Sequence, residues 1–379
     1  MALKIAMIGL RGVPAAWGGV EHHVDELGRR LAGRGHDVTV FNRSNYLPER
    51  WRHYRGMRIR SLPVVPTKHL EAIGHSLLAT LASATSDFDI VHYHALGPGL
   101  CTPIARLVGP ARVVLTVHGL ENRAKWSGAA RRVLSAAEWL GPRVPDETIV
   151  VSHALEVHFR QQHNRAVTCV PNGVTPVAHR PPRRIVKRFG LAPGYVLYVG
   201  RLSPEKAPDL LLRAYRHVSG NRPLVVAGGS SLSDEYVDAL GRAAAADRRV
   251  RMLGYVYGEE LAELYSNAGV FVLPSLSEGL PLTLLEAASY ATPVVASRIP
   301  ANEEVLSPVG IGPGRRLFTS GSDEALAAAL NSALGDLPRE REGAECLRSS
   351  VLRRYDWDRS AEMTEEVYLR SLVPSGAIG

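Results

Sequence analysis

Cysteine is scarce: three in 379 residues, at Cys101, Cys169 and Cys346. They are far apart, odd in number and match no C-x-x-C spacing, which argues against both a disulfide framework and a thiolate zinc site. Free thiols packed as small hydrophobes are the expectation. Long apolar runs are missing as well. Runs such as Val270–Leu273 and Pro293–Ala296 fall far short of the ~20 residues a membrane-spanning helix needs. Met1–Leu10, followed at once by Arg11, reads as a buried strand and not as a secretory signal. A cytoplasmic protein is therefore expected. Neither G-x-G-x-x-G nor a Walker loop occurs, which disfavours a dinucleotide or ATP. No D-x-D pair stands beside the glycine loops, so no metal is expected at the site. Aromatic-interleaved basic strands and nucleic-acid motifs are absent, and no nucleic-acid partner is expected.

What is present is positive charge. The formal net charge is +8 and the pI about 9.5, which favours anionic partners such as phosphates or an acidic membrane surface. Two basic clusters stand out: Arg50, Arg52, Arg55, Arg58 and Arg60, and Arg180, Arg183, Arg184, Lys187 and Arg188. Each is also explained by a solvated face. The first includes Trp51 and Tyr54, and peripheral contact with an anionic membrane is an expectation there, at about 1 kcal/mol for each basic residue near the surface. With 45% hydrophobic and 22% charged residues, the chain reads as globular, and its length suggests two domains.

Strand-like runs alternate with helical patterns. A first series comprises Lys4–Gly9, Asp37–Phe41, Ile90–His92, Val113–Val117, Thr148–Val151 and Thr168–Val170. A second comprises Tyr195–Val199, Leu224–Ala227, Val250–Met252, Val270–Leu273 and Pro293–Ala296. Strands separated by helices mean βαβ units and parallel sheets, here in two doubly wound domains. Punctuation in Pro171–Pro182 marks the boundary. Residues 1–175, 176–354 and 355–379 are the expected segments, the last carrying an amphipathic helix, Trp357–Leu372. Ligands of open parallel sheets bind beyond the carboxyl ends of the strands, so two facing sheets would make an interdomain cleft. Hinges are expected at Pro171–Pro182 and near Arg354–Trp357, allowing closure over a ligand.

The loops after the strands carry the chemistry. Gly9-Leu10-Arg11-Gly12-Val13-Pro14-Ala15-Ala16-Trp17-Gly18-Gly19 precedes a helix whose free N–H groups suit an anion; a tight strand-to-helix turn is the plain alternative. His118, in Val117-His118-Gly119, ends a strand and could bond a sugar hydroxyl. His92 and His94 share one strand face, but no third ligand is apparent, so metal ligation there is not expected. Arg201 and Lys206, in Gly200-Arg201-Leu202-Ser203-Pro204-Glu205-Lys206, end a strand and open a helix. An Arg fork and a Lys point charge suit a diphosphate. Cations there oppose the helix dipole, so an anion should compensate. In Ser277-Glu278-Gly279-Leu280-Pro281-Leu282-Thr283-Leu284-Leu285-Glu286, a helix is expected to begin around Gly279–Pro281. The amides near Leu282 and Thr283 can then meet a phosphate. Glu286 stands in an apolar stretch, where an unpaired carboxylate would be costly; a hydroxyl-rich ligand would satisfy it.

Taken together these residues resemble glycosyltransferase family 4, a retaining family with the GT-B fold of two Rossmann-like domains. Glu278…Glu286 matches its E-x7-E pattern, Arg201 and Lys206 its phosphate-binding cations, and Gly18-Gly19 its glycine loop. Val170–Val174, Gly254-Tyr255-Val256 and the closing Tyr355-Asp356-Trp357 helix match too. The N-terminal half resembles a subgroup that includes bacterial rhamnosyltransferases, through Arg11–Ala15, Gly18–Glu21, Gly119-Leu120-Glu121 and Lys125-Trp126. It departs at His118, where Asp is common, and at Val20, where Phe is. The resemblance implies a nucleotide-diphosphate sugar as co-substrate and a saccharide, lipid-linked or small-molecule acceptor, with no other cofactor. It implies that Arg201 and Lys206 neutralise the diphosphate, Glu286 holds the ribose, Glu278 contacts the sugar and His118 orients it. Gly18 and Gly19 would bring backbone to the phosphates, and Gly254, Tyr255 and Val256 would line the base pocket. A GT-B sugar-nucleotide epimerase and an inactive partner subunit are the alternatives.

Overall fold

The computed structural model describes residues 1–16, 18–47, 51–64, 71–120, 128–229 and 234–373. Trp17, Arg50, Glu121, Lys125 and Trp126, all named above, lie outside them. The chain forms two compact units. The first holds Met1–Gly173 and the chain from Trp357 onward, and the second holds Val174–Asp356.

In the first unit the strands are β1 (Lys4–Ile8), β2 (Asp37–Arg43), β3 (His53–Tyr54), β4 (Met57–Leu62), β5 (Ile90–His94), β6 (Arg112–Val117), β7 (Glu147–Val150) and β8 (Thr168–Cys169). They form one sheet in the order β3-β4-β2-β1-β5-β6-β7-β8, parallel except for the β3–β4 pair. Central strands buried on both faces read as unbroken apolar runs; after Lys4, β1 is buried at every position. The side strand β4 alternates instead, with Met57 and Ile59 buried and Arg58 and Arg60 outward. Its period-2 pattern lies inside the first arginine cluster, where charge masks it. The cluster is also engaged within the protein. Arg58 pairs with Asp37 at 3.1 Å, and Arg55 with Asp25 and Glu26 at 3.3 and 3.6 Å. Arg60 donates to the Ala82 carbonyl and lies over the Phe41 ring.

In the second unit, β9 (Val196–Val199), β10 (Leu224–Ala227), β11 (Val250–Gly254), β12 (Val270–Leu273), β13 (Val294–Ser297) and β14 (Arg315–Phe318) form a wholly parallel sheet. Its order is β11-β10-β9-β12-β13-β14. Renumbered within the unit this is 3-2-1-4-5-6, the Rossmann arrangement, whose crevice opens where the order reverses, between β9 and β12. The second basic cluster again meets acids: Arg180 pairs with Glu259 and Arg188 with Glu260. Buried Glu263 accepts from the Arg183, Arg184 and Ile185 amides, which open the short helix Arg184–Phe189. Cys101 is buried, Cys169 half-buried and Cys346 exposed, all as free thiols.

The returning helix Trp357–Leu372 packs on the first helix, Gly19–Gly33, of the first unit. Gly173 makes this possible, because a Cβ there would strike the Trp357 backbone nitrogen. Ser360 also donates to the Pro171 carbonyl at 2.6 Å. Arg30 holds Asp358 at 2.6 Å. Among the described residues no helix is long and apolar enough to cross a membrane.

Candidate active site

In the second unit the expected cations and acid converge on the switch point. Arg201 and Lys206 follow β9, and Glu278 follows β12. Lys206 Nζ lies 2.6 Å from both Glu278 oxygens, with the carboxylate side chain only 7% exposed. The main chains of these loops are tied as well, since the Leu276 amide donates to the Glu205 carbonyl at 2.8 Å. Lys206 ends a 3₁₀ turn, Pro204–Lys206; Ala207 then takes a left-handed conformation, and the helix Pro208–Tyr215 begins. Buried Tyr198 donates to the Arg201 carbonyl at 2.8 Å and fixes the strand end from beneath; burial holds its hydroxyl well above the usual phenol range. The Arg201 side chain is 49% exposed, and its pair with Glu205 is long, at 3.9 Å. The site thus offers one ammonium held by a carboxylate and one guanidinium lacking a short ion pair among the described residues.

Gly228 brings the neighbouring strand end close. Its φ is +149°, and a Cβ there would collide with the Gly200 carbonyl. Its amide donates to the Gly254 carbonyl at 2.8 Å. The adjoining Tyr255 ring packs where a Gly229 Cβ would stand. Tyr255 and Tyr257 stack with centroids 5.9 Å apart, both exposed, while Val256 is buried. Gly254, Tyr255 and Val256 therefore place a flat aromatic face beside the end of β11.

The helix after β12 runs Leu282–Ser289, with Pro281 as its N-cap. This corrects the expected start at Gly279–Pro281. Pro281 has ψ 101° and stays extended, so the turn begins one residue later. Bonding to the Pro281 carbonyl starts with the Leu284 and Leu285 amides, so the Leu282 and Thr283 amides precede the first intrahelical bond and suit an anion. Glu286 is not left to a ligand alone: buried Tyr265 donates to its Oε2 at 2.8 Å, and Tyr290 stacks on that tyrosine. The cost foreseen for an unpaired acid in an apolar stretch is offset by a protein hydroxyl.

In the first unit the glycine loop is fixed by side chains. The Arg11 amide donates to Glu21, Val13 to Asn42, Ala15 to Asp25 and Ala16 to the Tyr46 hydroxyl. These four amides are therefore taken, while the helix start at Gly19 still offers amides to an anion. Gly18, at φ +103°, leaves no room for a Cβ against the Glu21 carboxylate. A first-turn acid competes with any anion there.

His118, one residue past β6, is brought against two histidines that sequence spacing does not connect to it. Its Nε2 lies 3.2 Å from His94 Nδ1, and its ring centroid 4.5 Å from that of His23. His23 comes from the first helix and bonds Asn172 through Nδ1 at 2.7 Å. Burial drives the imidazole of His23 down to about 4 and those of His94 and His118 well below the usual range. All three are neutral near pH 7. His92 is different: its nitrogens bond the Tyr368 and Thr116 hydroxyls, both at 2.7 Å, so it belongs to the core. His23, Asn172, Tyr198 and Tyr265 were not anticipated as site residues. Asn172 lies in the noted Val170–Val174 segment, the one local signal that pointed near this cluster.

Two family models match the chain. One described as Glycosyltransferase Family 4 covers residues 17–178, and one described as Glycosyl transferases group 1 covers residues 183–344. A D-inositol 3-phosphate glycosyltransferase of Kineococcus radiotolerans is 30% identical over 99% of this chain and 97% of its own. A glycogen synthase of Mycobacterium tuberculosis is 28% identical over 97% of this chain and 94% of its own. Among solved structures, the sucrose-phosphate synthase of Thermosynechococcus elongatus superposes with a TM-score of 0.83 at 25% identity, over 97% of this chain and 98% of that one. Anabaena HepE, solved with UDP and glucose, shares the fold at a TM-score of 0.81 and 19% identity, over 98% of this chain and 100% of that one. Two Rossmann-like units, cations and acid at a switch point and a relative matching along nearly the whole chain lead to one assignment: the protein belongs to the GT-B glycosyltransferases, in family 4.

Proposed function

We propose that the protein is a retaining, metal-independent hexosyltransferase that moves a hexosyl group from a nucleotide-diphosphate sugar to a hydroxyl of a saccharide, lipid-linked saccharide or natural product. The observation that carries this reading is the Lys206–Glu278 contact at the β9–β12 switch point, beside a half-exposed Arg201. Arg201 and Lys206 neutralise the diphosphate as the bond from its terminal oxygen to the anomeric carbon breaks. Cations fixed in advance where charge develops supply the largest catalytic effect of this kind. The Leu282 and Thr283 amides add two donors to the same phosphates. Glu286, held by Tyr265, receives the ribose hydroxyls, and Glu278 a sugar hydroxyl. Gly254, Tyr255 and Val256 flank the base. In the first unit, His118, a neutral imidazole, is suited to orient a sugar hydroxyl.

Retention with two inversions needs a carboxylate nucleophile beneath the anomeric carbon. Among the described residues, the two acids given substrate roles are engaged, Glu278 with Lys206 and Glu286 with Tyr265. A front-face route fits better. The acceptor oxygen bonds the anomeric carbon on the face the diphosphate leaves, and the acceptor proton passes to the departing phosphate oxygen. The UDP and glucose of HepE support a nucleotide-sugar donor, and the name of the Kineococcus relative supports glycosyl transfer. The test is to incubate the protein with a panel of nucleotide sugars without acceptor, then with one, and to assign the product anomer by NMR. Slow donor hydrolysis and an anomer matching the donor are expected. No nucleotide release from any donor, or an inverted product, overturns the reading.

A further inference from the structure

We propose that His23, His94 and His118 form a binding site for a single Zn²⁺ ion. One ring nitrogen from each of the three lies within 4.8 Å of those of the other two. His94 Nδ1 and His118 Nε2 are already 3.2 Å apart. Two ligands of a tetrahedral zinc with Zn–N bonds of about 2.0–2.1 Å stand roughly 3.3–3.4 Å apart, so this pair is set for one ion. The His23 ligand atom lies within 4.8 Å of the other two, and rotation of its ring closes the set.

A second observation points to a ligand. The Nε2 atom of His23 is buried and has no hydrogen-bond partner among the described residues. His23 is 3% and His94 0% exposed. Buried polar atoms without partners are rare and call for an explanation such as an ion. Hydrogen bonding alone does not remove the deficit. Asn172 already takes the other nitrogen of His23, and His94 meets the ion through the Nδ1 that faces His118. That Asn172 contact resembles the outer-shell bond that orients a metal-bound imidazole and fixes its tautomer. The Asn172 Oδ1 accepts from Nδ1–H and leaves the Nε2 lone pair free to coordinate. His118 is the least buried of the three and marks the side from which an ion enters.

The neighbouring histidines do not share these properties. His92 has both nitrogens bonded. His158 and His163 are held by the Glu138 carboxylate at 2.8 and 3.0 Å. Zinc coordinated by His118 withdraws that ring from the sugar, so the ion acts as an inhibitor of transfer and not as its cofactor. This consequence rests on the role given to His118 above; the metal site does not.

The experiment is calorimetric titration of Zn²⁺ into chelator-stripped full-length protein, for the wild type, His23→Gln, His94→Gln and His158→Gln, with Co²⁺ absorption to read coordination. One ion per chain is expected, with a tetrahedral nitrogen-ligated Co²⁺ spectrum. His23→Gln and His94→Gln should weaken binding by roughly a hundredfold, the upper range for losing even an outer-shell partner, and His158→Gln should leave it unchanged. Absence of a stoichiometric site in the wild type, or unaltered binding in His23→Gln and His94→Gln, overturns the proposal. Should those variants fail to fold, paramagnetic broadening by Co²⁺ in the wild type decides. Loss of the His23, His94 and His118 resonances supports the site, and loss of those of His158 and His163 instead refutes it. Donor turnover with added Zn²⁺ separates the two claims. Binding without inhibition keeps the site and removes His118 from the reaction.

Discussion

Replacing Lys206 by methionine keeps the length of the side chain and removes its charge. Glu278 then keeps a carboxylate that is only 7% exposed and has lost a cation bonded to both its oxygens at 2.6 Å. Breaking a buried pair from one side costs about 3–5 kcal/mol. Lys206 is one-fifth exposed, so solvent screens part of this, and about 2–3 kcal/mol is expected. At roughly 2–4 °C per kcal/mol for a domain of this size, thermal unfolding should fall by about 4–12 °C. Adding Glu278→Gln removes the stranded charge and should return most of that loss. Turnover should not follow. If Lys206 carries diphosphate charge in the transition state, kcat/KM drops about a hundredfold, some 2.7 kcal/mol, in both Lys206→Met and the double variant. The assay pairs calorimetric unfolding with coupled detection of released nucleotide diphosphate. A Lys206→Met protein whose kcat/KM stays within about threefold of wild type refutes the catalytic reasoning. So does a double variant that regains activity along with stability.

Three further outcomes are expected. Burial drives His23 and His75 down to about 4 and His92 to about 3. Folded values below the unfolded value of about 6.5 mean that this stability is complete above pH 6.5 and lost as pH falls towards the folded values, by about 2 kcal/mol per ring at pH 5. Urea unfolding midpoints at pH 7 and pH 5 read this directly, and equal midpoints contradict it. Exhaustive chelation should leave donor turnover within about twofold, given two cations in place of a metal-binding acid pair; complete loss restored by Mg²⁺ or Mn²⁺ would show the transfer to be metal-dependent. Gly228→Ala drives a Cβ into the Gly200 carbonyl at a φ of +149°, and a stability loss of about 2–3 kcal/mol should accompany lower donor affinity. An unaltered melting curve would show that the β9 and β10 ends are not held as closely as described.

Much of this molecule is written in local pattern. Apolar runs with strand length, separated by helical patterns, foretold two parallel-sheet units, because side-chain period and turn chemistry act over a few residues. The loop cations and the E-x7-E pair were legible for the same reason: each follows a strand that the sequence marks plainly. Local pattern failed where charge overlay it. Arg58 and Arg60 concealed β4, whose buried Met57 and Ile59 alternate with them, and β14 begins with two arginines that read as surface. It failed again at Pro281, where one extended residue moved the helix start to Leu282.

The pairings between distant residues were decided by the sheet order. Lys206 and Glu278 are 72 positions apart, and no spacing rule joins them. They meet because β12 is laid beside β9 while β10 and β11 go to the other side. Tyr265 reaches Glu286 across two elements, and Asn172 reaches His23 over 149 positions. The metal question turned on the same point. The sequence offered His92 and His94 on one strand face and no third ligand, whereas packing of the first helix against the ends of β5 and β6 supplied His23 and His118 and gave His92 to the core. The sequence by itself determined which residues stand on loops after strands, because backbone preference is local. Only the tertiary structure decided which of those residues touch, because contact depends on the order in which the strands are laid side by side.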